Sequence, residues 1–555
     1  MKLYSDEKNT QILLALLKVH GIKKVIVSPG STNISVVSSM QHDKSFEMYS
    51  AVDERSAAYM ACGLAAESGE PVIITCTGAT SSRNYLPGMT EAFYRKLPVI
   101  AITATQMISK VGHDVAQVID RSVIPNDVAN ISVTLPIVKD ADDFWECEVK
   151  VNKALMKLNH KGGGPVHIDI PTTYDRDFST KSLPQVKTIS RITLNDSFPE
   201  MKASRVMIYV GAHSLFTSEE TLAIEKFCEA NNGAVFCDHT SNYKGKYALN
   251  FSLIGSQKML DRDFYKPDVS IFIGDIAGDY YTHSLLSNNV WKVSLDGELK
   301  DSFRKLEYIF EMPEIKFFKF YSKNEFSKKT NYFDLCSSHL NSYYDKIPEL
   351  PFSNIWVASK LSPILPENST IHFGILNSLR SWNFFKINDS INSACNVGGF
   401  GIDGGVSSLV GASLSNRDKL YFGVFGDLGF FYDLNAIGNR HVYKNLRILL
   451  VNNGKGTEFR LSAHKEFQYD DNADEFISAS GHFGNCSTEL VKSYSKALGF
   501  EYISASTKNE FDKVYEKFVS KTSSEKPIFF EVFTTGENEN LALEAIQNIN
   551  FDVKT

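Results

Sequence analysis

The stretch "YFGVFGDLGFF", residues 421–431, sets an apolar, aromatic run against a carboxylate. Such a run reads as a short strand buried on both faces, and Gly426-Asp427 stands where the strand must end. A carboxylate at that point is costly unless a cation or strong hydrogen-bond donors wait there. From Asp427 the chain passes through an exit loop and a helix to "RILLVNN", which closes on Asn452-Asn453. A βαβ unit lays the two strands side by side, so Asp427 and Asn453 can converge on one ligand. One carboxylate, one amide carbonyl and a nearby main-chain carbonyl make an oxygen-only set suited to Mg²⁺ or Ca²⁺. Gly426, Gly429, Gly454 and Gly456 would let main-chain amides approach a diphosphate closely. A capping Asp and an Asn-Asn-Gly turn that adjoin one helix satisfy the same spacing, and the spacing alone leaves both readings open.

Working outward, the same texture fills the chain. "KKVIVSPGS", "PVIITCTG", "LPVIAITAT" and "GPVHIDIP" are β-branched strands alternating with helical stretches such as "DERSAAYMACGLAAESG". "RVMIYVG", "AVFCD", "VSIFIGD" and "VWKVSLD" repeat the pattern, with a helix from about Ser218; "STIHFG", "LYFGVFGD", "RILLVNN" and "PIFFEVF" repeat it again. Short apolar strands separated by helices predict parallel sheets covered on both faces. The expected architecture is α/β, with three doubly wound parallel-sheet domains over about 1–185, 190–345 and 350–545. The three blocks share a pattern without a detectable sequence repeat. In such sheets ligands bind at the carboxyl ends of strands. Gly426-Asp427, Asn452-Asn453 and Ser28-Pro29-Gly30 stand at those ends, while Asp53-Glu54 opens a helix.

At 555 residues the chain is too long for one core. Its net charge of −7 and its scattered Lys and Arg weigh against a nucleic-acid or anionic-membrane partner. No apolar run reaches the length of a membrane span. The N-terminal "MKLYSDEKNTQILLALLKVHG" reads as an amphipathic helix capped near Ser5 and Asp6 and closed by Gly21, rather than a signal peptide. Eight cysteines, none in a Cys-x-x-Cys pair, suit reduced thiols in a cytoplasmic protein.

"GDLGFFYDLNAIGNRHVYKNLRILLVNNGKG" resembles the diphosphate and Mg²⁺ motif of thiamine-diphosphate enzymes, and its wording "GDL…YDLNAI…VNN" is most similar to the menaquinone-pathway synthase branch. "SPGSTN", "DERSAAYMACGLAAESGEPVIITCTG" and "LPVIAITAT" resemble the pyrimidine-binding domain of the same family in order and spacing. The resemblance implies thiamine diphosphate and Mg²⁺ as cofactors. It implies that Asp427, the Asn453 side chain and the Lys455 main-chain carbonyl bind the metal, and that Gly426, Leu428, Gly401 and Ile402 border the cofactor. Ile402, in "GGFGIDGG", matches the bulky residue that props the coenzyme's bend. Glu54 matches the acid that hydrogen-bonds the pyrimidine nitrogen N1′ and so prepares the coenzyme to lose its C2 proton. Read alone, Glu54 would be a helix N-terminal acid stabilised by the dipole. Ala57, Ala58, Ala61 and Gly63 would let that helix lie close to a flat ring. The family places each active site between two chains, implying a homodimer or a homotetramer.

The branch grips polyanionic substrates with arginines. Three matching positions differ: Thr32 in "SPGSTN", Gln106 in "TATQM" and Val397 in "NVGGFGIDG". Gln117, in "DVAQVI", matches a substrate-side glutamine, and Ser31 neighbours Thr32. Each charge-assisted contact is worth roughly 1.5–3 kcal/mol, so losing three cations is incompatible with the same set of carboxylates. Arg83, His113, Arg380, Lys455 and Arg460 are possible replacements. Acetolactate synthases, also relatives, often hold FAD in the middle domain; "VGAHSLFTSEE" has no Gly-x-Gly-x-x-Gly nest, so no flavin is expected. The resulting expectation is a decarboxylase and carboligase that acts on a 2-oxoacid and an acceptor other than isochorismate. The alternatives are a simple 2-oxoacid decarboxylase releasing an aldehyde and a non-catalytic diphosphate-binding protein.

Overall fold

The computed structural model describes residues 3–323, 331–454, 456, 476, 487–522 and 524–550. Three parallel sheets appear, as the alternating runs require. In the first, the strands Glu47–Ser50, Lys24–Val27, Val72–Thr77, Val99–Thr105, Val166–Pro171 and Ser132–Thr134 lie side by side in that order, every pairing parallel. In the third, the order is Asn392–Cys395, Thr370–Phe373, Tyr421–Gly426, Leu446–Asn452, Ile528–Phe533 and Glu501–Ala505, again all parallel. Numbered along the chain within each sheet, both read 2-1-3-4-6-5. The repeated pattern is therefore a repeated topology. In the middle sheet Ala248–Asn250, Gly233–Cys237, Val206–Val210, Val269–Ile273 and Val290–Ser294 are paired in parallel in that order.

The chain's contacts divide it into two compact units, Met1–Ile192 with Gly297–Ile309 and Thr193–Asp296 with Phe310–Thr555. The second unit carries both the middle strands and the third sheet. Within it, His239 Nε2 lies 2.9 Å from the Trp382 carbonyl, and Gln257 Nε2 donates to the Ile546 carbonyl at 2.7 Å.

Central strands are apolar on both faces because helices cover both; every residue of Leu446–Asn452 is buried. Sequential capping agrees in the middle domain, where Thr217 and Glu220 form a reciprocal capping box on the helix Ser218–Asn231. The N-terminal helix differs from its expected form. It spans Lys8–Val19 behind Glu7, and Ser5 and Asp6 do not cap it. The Asp6 carboxylate instead accepts bonds from Ser179 and Thr180, which fixes the chain's entry. The helix is also less amphipathic than its ends suggest: Ile12 to Leu17 are all buried in the first domain's core. Gly21 follows it at φ 68°, a left-handed stop. The seven cysteines among the described residues are free thiols, and Cys486 lies outside them. No helix among the described residues is long and apolar enough to cross a membrane.

Candidate active site

Gly426 pairs with Val451 in the third sheet, so the strands ending at Asp427 and Asn452 finish side by side. Asp427 is 2% exposed. Its Oδ2 accepts the main-chain N–H of Asn453 at 3.1 Å and of Gly454 at 2.9 Å, and its Oδ1 accepts that of Leu428 at 2.7 Å. The exit loop expected after Asp427 is absent, since the helix Asp427–Tyr432 starts at Asp427 itself; the donors that a buried carboxylate needs are main-chain amides of that helix's first turn and of the neighbouring strand's exit. Asn452 and Asn453 diverge, as successive strand residues must. Asn452 Nδ2 donates to Glu531 Oε1 at 2.8 Å inside the core, while Asn453 borders the cavity in front of Asp427.

That cavity has a volume of about 290 Å³. Its walls come from the exits of adjacent strands: Gly374, Ile375 and Leu376 after one, Gly426, Asp427 and Leu428 after the next, with Ile402 from a loop. Strands one and three of the sheet flank its topological switch point, where ligands of open α/β sheets bind. A Cβ built on Gly426 would meet no atom within 4 Å, so the glycine opens directly onto empty space. Gly429 approaches the Ile402 carbonyl so closely that a Cβ would lie 3.1 Å from it. Leu376 sits at φ 63°, ψ −126°, a conformation costly for a branched residue, exactly where the chain turns along the wall. An all-oxygen pair, the Asp427 carboxylate and the Asn453 amide, beside a glycine-lined hollow suits a hard divalent cation and a diphosphate. Lys455, the expected third ligand, lies outside the described residues, as does Arg460.

One acid of this cavity has no counterpart in the sequence reading. Glu539 borders it, accepts the Asn354 N–H through both oxygens at 3.0 and 3.2 Å, and accepts the Thr534 hydroxyl at 2.7 Å. Burial pushes its carboxyl up to about 7, with the charge of Asp427 adding to the rise and the hydrogen bonds opposing it. The signal that could have found it is positional: "FTTGENE" leaves the strand paired with Leu446–Asn452 at the same sheet end.

In the first domain Glu54 opens the helix Glu54–Ser68, capped by the Asp53 carboxylate on Arg55 N and Ser56 Oγ. Asn84 Nδ2 donates to Glu54 Oε2 at 3.1 Å. Partial burial pushes the Glu54 carboxyl up, but hydrogen bonds from Asn84 and Ser81 outweigh it and hold the group below the usual range. Ala57, Ala58 and Ala61 do not form a wall for a ring. They are buried in the domain core, where Gly88 comes so near that a Cβ on it would lie 2.4 Å from the Ala58 Cβ. Their smallness serves the contact between the helices Glu54–Ser68 and Leu86–Tyr94. Large apolar side chains lie exposed in the same segment, Val52 at 77%, Tyr59 at 48% and Met60 at 47%, among polar residues such as Arg55 and Ser56.

Of the other candidate substrate residues, Thr32, Gln106 and Gln117 lie near one another: the Thr32 hydroxyl bonds the carbonyl of Ala104, two residues before Gln106, and Gln106 Nε2 donates to the carbonyl of Ala116, beside Gln117. Ser31 and Gln117 are exposed, Gln117 with φ 64°. Thr32 is buried. Gln106 accepts Lys110 Nζ at 2.9 Å. Val397 is buried, Arg83 donates to the Asp120 carbonyl, and His113 is exposed. Arg380 is buried, donating to Asn377 Oδ1 and lying 4.7 Å over the Tyr280 ring. Gly401 is backed by Asp403, whose Oδ1 lies 2.3 Å from a Cβ built there.

Comparison with known proteins shows the family. Residues 8–124 match the thiamine pyrophosphate enzyme, N-terminal TPP binding domain. The 2-succinyl-5-enolpyruvyl-6-hydroxy-3-cyclohexene-1-carboxylate synthase of Bacteroides fragilis is 30% identical over 96% of this chain and 97% of its own. The synthase of the same name from Phocaeicola vulgatus is 29% identical over 98% of each. A solved structure, the Rhodococcus jostii RHA1 thiamine diphosphate-dependent 4-hydroxybenzoylformate decarboxylase, aligns with 95% of this chain and 99% of that one, at a TM-score of 0.41 and 14% identity. Given 30% identity along nearly the whole of both chains, this protein belongs to the thiamine pyrophosphate-dependent enzymes of the 2-succinyl-5-enolpyruvyl-6-hydroxy-3-cyclohexene-1-carboxylate synthase family.

Proposed function

We propose that the chain uses thiamine diphosphate and Mg²⁺ to release CO₂ from a 2-oxoacid and to transfer the remaining acyl unit to an acceptor other than isochorismate. The observation that carries the reading is Asp427, a buried carboxylate held by three main-chain N–H groups at the edge of a glycine-lined cavity. Asp427 and Asn453 would hold the metal, and Gly426 and Leu428 would border the diphosphate. Ile402 would brace the coenzyme from the facing loop. When bound, thiamine diphosphate supplies the carbon nucleophile and holds the electrons left by CO₂. Glu54, its carboxyl oriented by Asn84, would face the pyrimidine nitrogen and would share a proton with it once further burial raises the carboxyl from its lowered position.

Thr32, Gln106 and Val397 support a changed acceptor, because none can supply the bidentate cation of an arginine. We further propose a second copy of the chain as the cover for the exposed apolar side chains of Val52, Tyr59 and Met60. Such a cover would strip solvent from Glu54, and burial is the influence that raises its carboxyl. The test is CO₂ evolution from a panel of 2-oxoacids, with thiamine diphosphate and Mg²⁺, with and without isochorismate and neutral carbonyl acceptors. Stoichiometric ligation to a neutral acceptor supports the proposal. Aldehyde release under every condition replaces it with simple decarboxylation, and ligation to isochorismate removes the changed acceptor.

A further inference from the structure

The buried strand Leu446–Asn452 is apolar except at its last residue, Asn452, and its second, Arg447, which is 1% exposed. Its Nη1 donates to the main-chain carbonyls of Lys444 and Leu446, and its Nε has no hydrogen-bond partner among the described residues. An arginine in such a place is costly unless something anionic answers it. It lines a second cavity, about 740 Å³, at the amino ends of the third sheet's strands, the end opposite the Asp427 cavity. That volume lies within the range of small-molecule sites.

Two further buried groups of this cavity lack a partner among the described residues: Asn445 Oδ1 and Ser369 Oγ, on residues 2% and 1% exposed. Cations outnumber acids around it. Lys444 is paired with Glu525 at 2.6 Å, and Arg417 donates to the His441 carbonyl. Lys419 and Lys521 also line it and form no ion pair among the described residues, against the carboxylates of Glu367 and Asp418. Burial pushes the Lys419 ammonium down, and burial pushes Arg447 down to about 10 although Glu501 opposes it. These are cations desolvated without full compensation. No aromatic side chain lines the cavity among the described residues, so a nucleobase would find nothing to stack on.

We propose that this cavity binds a small phosphorylated polyol, with Lys419, Lys521 and Arg447 taking the phosphate and Asn445 and Ser369 taking hydroxyls. The site stands apart from the cofactor cavity and does not rest on the cofactor reading. Fructose 6-phosphate, inorganic phosphate and fructose would each be titrated calorimetrically into the full chain, once with saturating thiamine diphosphate and Mg²⁺ and once without. Fructose 6-phosphate should bind at least about ten times more tightly than either fragment under both conditions. The K419A/K521A double variant should weaken it at least about tenfold while leaving thiamine diphosphate binding unchanged. Arg447→Met should act in the same direction, and if it fails to fold the lysine pair carries the test. Asp427→Asn should leave fructose 6-phosphate binding intact, which separates this site from the cofactor cavity. Absence of binding, equal affinity for phosphate alone, or an affinity untouched by K419A/K521A would overturn the proposal.

Discussion

The cavity before Asp427 and the face around Glu54 present their carboxylates, Asp427 and Glu54, in opposite states. Asp427 is buried, fixed by three main-chain amides, and walled by strand exits of a single sheet. Glu54 is part-exposed, held by side chains, and flanked by exposed apolar side chains among polar ones. The cavity raises the carboxyl of Glu539, whereas the face lowers that of Glu54. The contrast teaches that, on the proposed assignment, the diphosphate end would be preorganised by the fold of one chain. The acid end is presented by a helix terminus and lacks the burial that would tune it.

The largest effect should come from breaking the organised end. Asp427→Ala orphans three main-chain amides and removes the carboxylate proposed to hold the metal. Turnover should fall by at least about 100-fold, because even outer-shell partners of a metal are worth about 10–100-fold. Asp427→Asn, checked for its fold by circular dichroism, should retain structure and still lose Mg²⁺-dependent coenzyme binding. Glu54→Gln should cut CO₂ release by about 10²–10⁴-fold, the span of acid–base contributions, while coenzyme affinity in a binding titration changes only a few-fold. Equal losses of affinity at both ends would erase the contrast.

Smaller changes sharpen it. Gly426 has φ −75° and ψ 160°, which alanine adopts freely, and a Cβ there meets no protein atom. Gly426→Ala should therefore shift folding stability by no more than about 0.5 kcal/mol in denaturant titrations. Its coenzyme affinity should still drop about tenfold, since the methyl occupies ligand space. The smallest effect concerns Glu539, whose carboxyl rises from 4.5 to about 7 in the fold. Between those values the native state keeps a proton the unfolded chain has released. The associated stability is complete below pH 4.5 and is lost as pH rises through about 7. Glu539→Gln should flatten that decline in urea melts without added metal. An unchanged slope would show that the cavity does not raise this acid.

Much of this was legible in the sequence where the physics is local. Long apolar strands such as "RILLVN" announce themselves because both faces are buried. Asp427 and Asn453 were legible because a βαβ unit forces their strand ends together. The edge strand Glu47–Ser50 was not, since it is short, mostly exposed and lacks a continuous apolar run, and it exists through pairing with Lys24–Val27. Ala57, Ala58 and Ala61 were read as small but assigned the wrong neighbour, because Gly88 comes from a distant helix. Glu539 was missed for the same reason: its partner Asn354 lies 185 residues away. Arg447 carried no signal in the sequence, because only the fold shows it buried.

The central claim is that Asp427 holds a divalent ion for the coenzyme's diphosphate. It is tested most directly by titrating thiamine diphosphate into the wild-type chain and into Asp427→Asn, each with Mg²⁺ and with a chelator. The account predicts binding by the wild type that collapses under chelation, and little binding by the variant in either condition. Equal affinity in all four titrations would contradict it.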